Sequence, residues 1–240
     1  MPHDQHKPLS SPYHVDVQDN FGGPGDEDRY RREGLYESLA DALVRAIELT
    51  RESVMATKDL ATWSMGGETG LVYDASGQFL FSASRLFTDD MEGPGHVPPL
   101  EDAIRLAEEA HKGQVDKAGQ SYIMHPLRVM LRCKRPVEMI VAVLHDVIED
   151  TDITMDALRT NGYPPEVLEA LDCVTKRSGE DYDSFVARAA ANPVARAVKL
   201  ADLEDNLDTT RLPQPLTHAD RQRMRKYRMA YQKLGGDCRA

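Results

Sequence analysis

The stretch from 136 to 149 limits the fold most, because Ile140, Val141, Val143, Leu144, Val147 and Ile148 make it apolar on nearly every side. A helix of that kind belongs at the centre of a bundle. Set into its end are His145, Asp146, Glu149 and Asp150, at positions where hydrophobicity alone predicts Leu or Val. Burying such groups costs free energy unless something binds or pairs them. At 3.6 residues per turn His145 and Glu149 share a face, as do Asp146 and Asp150, so the segment offers an imidazole and three acids to one cleft. A divalent metal is the economical reason for that set. His125 stands immediately before Pro126 at a helix start, and Asp202 ends the apolar run 197–201, so the array supplies two His and two Asp. Mixed nitrogen and oxygen ligation suits manganese, iron or zinc better than calcium.

The remainder of the chain sets the context for this cluster. With 240 residues, 41% of them hydrophobic, there is enough apolar material for a large domain or a medium one with a smaller companion. No apolar run is long enough to span a bilayer. The formal net charge of −11 opposes wrapping nucleic acid or sitting on anionic lipid. Cys133, Cys173 and Cys238 are odd in number and widely separated, which gives neither a disulfide framework nor a zinc knuckle and fits a reducing cytoplasm. Residues 1–11 are polar where a secretion signal needs an apolar core.

The Gly-Pro-rich stretch 93–99 disfavours both helix and ladder and reads as a linker. It divides the chain into 1–98, a small α+β accessory domain, and 99–240, a helical domain. In the first part Tyr13, Val15 and Val17 alternate with polar residues as in a half-buried strand. Leu39, Leu43, Ala46, Ile47, Thr50 and Val54 recur at helical spacing after a Ser38–Asp41 capping signal. Runs 71–73 and 79–81 flank the turn composition Asp74-Ala75-Ser76-Gly77. The expected order is β-α-β-β. Trp63 and the loop around Met65 read as packing and turn residues, and the domain as an interaction or regulatory module that takes a protein partner or a second copy. From residue 100 onward the pattern is helical, over 100–112, 126–133, 136–149, 154–161, 165–175, 181–191, 193–207 and 217–234, so the expected class is mainly α.

The His…His-Asp…Asp order resembles the HD superfamily of metal-dependent phosphohydrolases. The text around it is similar, more narrowly, to the hydrolase domain of RelA/SpoT homologues of the small alarmone hydrolase type. Five blocks carry that resemblance over about residues 100–235: Ala110-His111-Lys112-Gly113-Gln114, Tyr122-Ile123-Met124-His125-Pro126-Leu127, the run from Leu144 to Thr151, Val174-Thr175-Lys176, and Val198-Lys199-Leu200-Ala201-Asp202. The resemblance implies an all-helical HD-type domain in which His125, His145, Asp146 and Asp202 hold one Mn²⁺. It implies that Glu149 and Asp150 position or deprotonate the attacking water, that Lys117 meets substrate phosphates, and that Asn206 and Thr209 contact the nucleotide. The reaction it implies is removal of the 3′-pyrophosphate of (p)ppGpp. No alarmone synthetase segment is recognisable, so synthesis is not expected.

Two departures bear on the substrate. Where the family commonly has Arg-Lys this chain has Asp116-Lys117, and where the family continues Arg-Leu-His-Asn this chain has Leu203-Glu204-Asp205-Asn206. Acids in place of cations disfavour a highly anionic nucleotide. The alternatives are therefore another nucleotide phosphoester, the NADPH 2′-phosphate or a nucleoside monophosphate, and a nucleotide sensor without turnover. His111 reads equally as a shaper of the site and as a buried helix histidine. Arg221, Arg223, Arg225, Lys226 and Arg228 spread around the last helix and read first as a solvated basic face, the alternative being that they, with Lys199 and Arg211, face a phosphate-bearing ligand.

Overall fold

The computed structural model describes residues 12–19, 30–57, 67–86, 100–210, 212 and 215–236. The chain divides into two compact units, Met1–Pro94 and Gly95–Ala240. The linker stretch 93–99, Trp63, Met65, Arg211 and Cys238 lie outside the described residues.

The first unit is an antiparallel sheet with a helix on one face. Its elements are β1 (Tyr13–Asp19), β2 (Tyr30–Tyr36), α1 (Leu39–Thr57), β3 (Glu68–Asp74) and β4 (Phe79–Ser82), with strand order β2-β1-β3-β4. Val15 pairs with Val72 and Val17 with Gly70, and these residues turn toward α1, whose Leu43, Ala46 and Ile47 are buried. At Gly70 the helix comes so close that a Cβ would stand 2.4 Å from the Ala46 carbonyl oxygen. Thr50 joins the two elements, accepting the Gly70 amide at 2.8 Å while donating to the Ala46 carbonyl at 2.9 Å. The Ser38 hydroxyl caps α1 by accepting the Asp41 amide at 3.0 Å, and Asp74 organises the β3–β4 turn by accepting from Ser76 and Gln78.

The order is β-β-α-β-β, which corrects the β-α-β-β expectation by one strand. The added strand, β2, reads Tyr-Arg-Arg-Glu-Gly-Leu-Tyr and is largely exposed. It lies at the sheet edge and is tied by ion pairs of Arg32 with Asp16 and Arg31 with Glu68. Apolar alternation, the signal used for strands, is absent from such an edge.

The second unit consists, among the described residues, of helices: α2 (Leu100–Ala110), α3 (Met124–Arg132), α4 (Pro136–Leu144), α5 (Val147–Asp150), α6 (Met155–Thr160), α7 (Pro165–Val174), α8 (Tyr182–Ala191), α9 (Pro193–Leu207) and α10 (His218–Lys233). The apolar α4 is central, with Met139 to Leu144 all buried and with α2, α3, α7 and α9 packed around it. It does not run on to Glu149 as its composition suggests. It ends at Leu144, and His145 and Asp146 form a turn before α5. The His145 ring nitrogen Nδ1 lies 2.7 Å from the Ala142 carbonyl oxygen, the acceptor that an unbroken helix would give to the Asp146 amide. No described helix is long and apolar enough to cross a membrane.

Candidate metal centre

The break after α4 shapes the site. His145 turns inward and is only 3% exposed. Its Nδ1–H donates to Ala142, so the neutral ring carries its lone pair on Nε2, which is buried with no hydrogen-bond partner. That nitrogen stands 3.3 Å from Asp146 Oδ2 and 3.8 Å from Asp202 Oδ1. His125, in the first turn of α3, brings its own Nε2 to 3.6 Å from Asp146 Oδ2 and 3.3 Å from Asp202 Oδ1. The two rings are 5.3 Å apart between centroids. His125, His145 and Asp146 each offer a donor atom within 4.8 Å of the others, a grouping able to hold a metal ion. Asp202 approaches both imidazoles from α9.

A divalent cation fits this donor set. Burial opposes a charge on His125, yet hydrogen bonds with Asp202 and Asp205 outweigh it and push the imidazole up to about 10. The carboxylates thus draw positive charge to the middle of the cluster. Burial likewise disfavours an ionised Asp202, but Lys199 and the two histidines hold its carboxyl well below the usual range. Lys199 Nζ donates to Asp202 Oδ2 at 2.7 Å, leaving Oδ1 on the side of the histidines.

Around the cluster lies a cleft of about 490 Å³, lined among others by Lys117, Tyr122, His125, Asp146, Glu149, Lys199, Asp202 and Asn206. His145 forms no part of that lining and lies beneath it. Glu149 accepts the Lys176 amide through Oε1; burial pushes its carboxyl up, against that hydrogen bond and with the repulsion of Asp146 and Asp150. Asp150 is exposed, and the Tyr122 hydroxyl reaches both Asp146 Oδ2, at 2.8 Å, and Asp150 Oδ2, at 3.0 Å. Behind Tyr122, His111 is buried and its Nδ1 meets Gln114 Oε1 at 2.9 Å, while Gln114 donates to the Asp150 carbonyl. His111 therefore sits one layer behind the cleft.

The residues assigned to substrate separate. Lys117 lines the cleft. Asn206 lines it too, but its amide nitrogen is committed to Asp202 Oδ1 and the Asp202 carbonyl. Thr209 lies on the turn after α9, where its carbonyl accepts the Leu212 amide, and it is not among the lining residues.

Sequence reasoning missed Lys176 and ranked a cleft-facing role for the last helix second. Arg223 and Lys226 of α10 line the cleft with Lys117, Lys176 and Lys199, instead of belonging wholly to a solvated face. Burial and the nearby cations lower the Lys226 ammonium, as expected where positive groups converge. The acids that looked hostile to an anion are mostly elsewhere. Glu204 is exposed and accepts from the Tyr231 hydroxyl at 2.6 Å. Asp205 is buried under Arg128, and Leu203 lies in the core with Val186, Ala230 and Leu234. Asp116 does line the cleft, and its Oδ1 caps a turn by accepting from the Ala118 and Gln120 amides.

No protein-family model matches the chain. It is 31% identical over 128 residues to a guanosine-3′,5′-bis(diphosphate) 3′-pyrophosphohydrolase of Aquifex aeolicus, covering 48% of this chain and 18% of that protein. It is 32% identical over 125 residues to a GTP pyrophosphokinase of Streptomyces coelicolor, covering 47% and 15%, and 27% identical over 146 residues to a further 3′-pyrophosphohydrolase from Vibrio cholerae, covering 55% and 21%. The chain thus spans only about a fifth of the curated relatives it matches. A solved structure described as a metazoan ortholog of SpoT that hydrolyzes ppGpp aligns with TM-score 0.49 at 22% identity, over 56% of this chain and 84% of that one. The chain resembles the RelA/SpoT homologues in sequence, and its helical unit carries all five blocks on which that resemblance rests.

Proposed function

We propose that the helical unit is a divalent-metal-dependent phosphohydrolase acting on (p)ppGpp, releasing pyrophosphate from the 3′ position and leaving GTP or GDP. The observation that carries this reading is the buried, unpartnered His145 Nε2, which stands near Asp146 and Asp202 and beside His125 under a cleft that also carries Lys117, Lys176, Arg223 and Lys226. In this reading His125, His145, Asp146 and Asp202 hold the ion, Mn²⁺ by resemblance. When bound, such an ion polarises a phosphoryl oxygen and makes water acidic enough to attack near neutral pH.

The protein's own groups do the rest. Glu149 has Oε1 occupied by the Lys176 amide, which leaves Oε2 to take the proton of the attacking water. A carboxyl with a raised pKa suits that task. Asp150, tied to Asp146 through Tyr122, orients the water. Lys117 receives the phosphates, together with Lys176, Arg223 and Lys226 along the same wall. Asn206, which lines the cleft, holds Asp202 in place through its amide, whereas Thr209 lies outside the lining and is given no nucleotide contact. The relatives named as 3′-pyrophosphohydrolases support the choice of substrate.

The test is a panel of ppGpp, NADPH and nucleoside monophosphates, each incubated with the protein and Mn²⁺. Pyrophosphate and GDP from ppGpp are the expected products. Phosphate from NADPH or a monophosphate, with no pyrophosphate from ppGpp, overturns the substrate. Tight binding of ppGpp with no product in a single turnover overturns hydrolysis and leaves a nucleotide sensor.

A further inference from the structure

We propose that Asp205 is a positioning residue for the metal centre, its buried carboxylate fixing the tautomer and orientation of His125. This rests on the reading of the cluster as a metal centre. Asp202 and Asp205 are three residues apart on α9 and so share a face, and between them they bracket one imidazole. Asp202 Oδ1 stands 3.3 Å from His125 Nε2, and Asp205 Oδ2 stands 2.8 Å from His125 Nδ1. An ionised carboxylate only accepts, so the Asp205 contact places a proton on Nδ1. When a cation displaces the second proton from the ring, Nε2, the nitrogen on the side of Asp146 and Asp202, is then the one that gives up its lone pair to it. His145 reaches the same tautomer through the Ala142 carbonyl. The two rings therefore present like nitrogens to one point, held by different acceptors.

A carboxylate without solvent exposure is costly unless its charge is balanced. Two arginines of α3 balance this one. Arg128 donates through Nε to Asp205 Oδ1 at 2.9 Å and through Nη2 to Oδ2 at 3.1 Å, and Arg132 Nη1 lies 3.1 Å from Oδ1. Arg128, Arg132 and His125 all come from α3, so the single carboxylate fixes the α3–α9 pairing at the place where each helix delivers a ligand. Asp205 does not line the cleft, and its charge is directed at His125 rather than at substrate. A carboxylate behind a ligating histidine raises the basicity of the ring as well as orienting it.

The experiment titrates the metal-free 240-residue chain with Mn²⁺, following free Mn²⁺ by electron paramagnetic resonance, for the parent and for Asp205→Asn. The expected result is affinity weaker by about 10–100-fold in the variant, with an unchanged far-ultraviolet circular dichroism spectrum. Equal affinities in two folded proteins overturn the positioning role alone. A parent protein that takes up no divalent ion overturns the metal centre and this role with it. Where Asp205→Asn fails to fold, long-range proton–nitrogen NMR of the Zn²⁺-loaded parent decides: a His125 proton on Nδ1 is expected, and a ring whose Nδ1 carries none overturns the proposal.

Discussion

His145 carries the sharpest argument at the scale of single residues, because a buried ring nitrogen with no hydrogen-bond partner costs about 1–3 kcal/mol in a protein that leaves it so. In the neutral ring with its proton on Nδ1, the neighbours of Nε2 could satisfy it only as donors, and the nearest are carboxylate oxygens. A cation resolves the conflict for His145, His125 and both aspartates at once. Asp146 and Glu149 then differ in kind, since Asp146 approaches both imidazoles whereas Glu149 faces the cleft and is anchored by the Lys176 amide. Asp146→Ala is expected to abolish retention of divalent ion, read by elemental analysis after desalting. Glu149→Gln is expected to retain the ion and lower kcat by about 10²–10⁴-fold, the usual worth of a general base. Equal loss of metal in both variants would remove this division of labour.

At the scale of elements, what the sequence made legible was whatever apolar spacing encodes. The central position of α4 follows from residues that leave no polar face, and α1 from its periodicity and Ser38 cap. The break at His145–Asp146 was not legible, because helical spacing assumes an unbroken axis and cannot register a side chain that takes over a backbone acceptor. β2 escaped for a related reason: its pairing rests on Arg31 and Arg32 with acids across the sheet. Asp205 was misread as repulsion toward substrate, since its partners Arg128 and His125 lie about eighty residues away. The candidate donors His145, Asp146 and Asp202 were readable as polar intrusions into apolar text, and His125 as an imidazole at a helix start. Which face of α10 turned to the cleft was not, because its cations occur on all sides. In the first unit nothing in the residue pattern marks Gly70 as a contact point. With a Cβ there meeting Ala46 backbone at 2.4–2.8 Å, Gly70→Ala has to push α1 off β3. The expected loss is about 1–3 kcal/mol, typical of overpacking, seen as a lower midpoint in urea unfolding. An unchanged midpoint would show that α1 rides freely over the sheet.

For the whole molecule the relevant fact is where the parts of the site come from. A chain of net charge −11 repels a polyphosphate at long range, yet the concave wall that carries Lys117, Lys176, Arg223 and Lys226 among its acids gathers the opposite charge locally. Every residue lining that wall falls between Val115 and Tyr227, as do the four donors and the groups that orient them, Ala142, Lys199 and Asp205. The first unit has a separate core in Val15, Val17, Leu43, Ile47, Val72 and Phe81. Units of this size with their own cores commonly fold alone. A chain reduced to Gly95–Ala240 is therefore expected to keep a cooperative thermal transition and to bind Mn²⁺ with the affinity of the full chain, while turnover of ppGpp compared between the two reports what the first unit contributes. Matching turnover assigns the sheet a role outside the reaction, and a change in kcat with unchanged metal affinity makes it a regulator. Loss of the cooperative transition or of ion binding would mean that the centre needs residues its geometry does not include, and that outcome would count against placing the whole site in one unit.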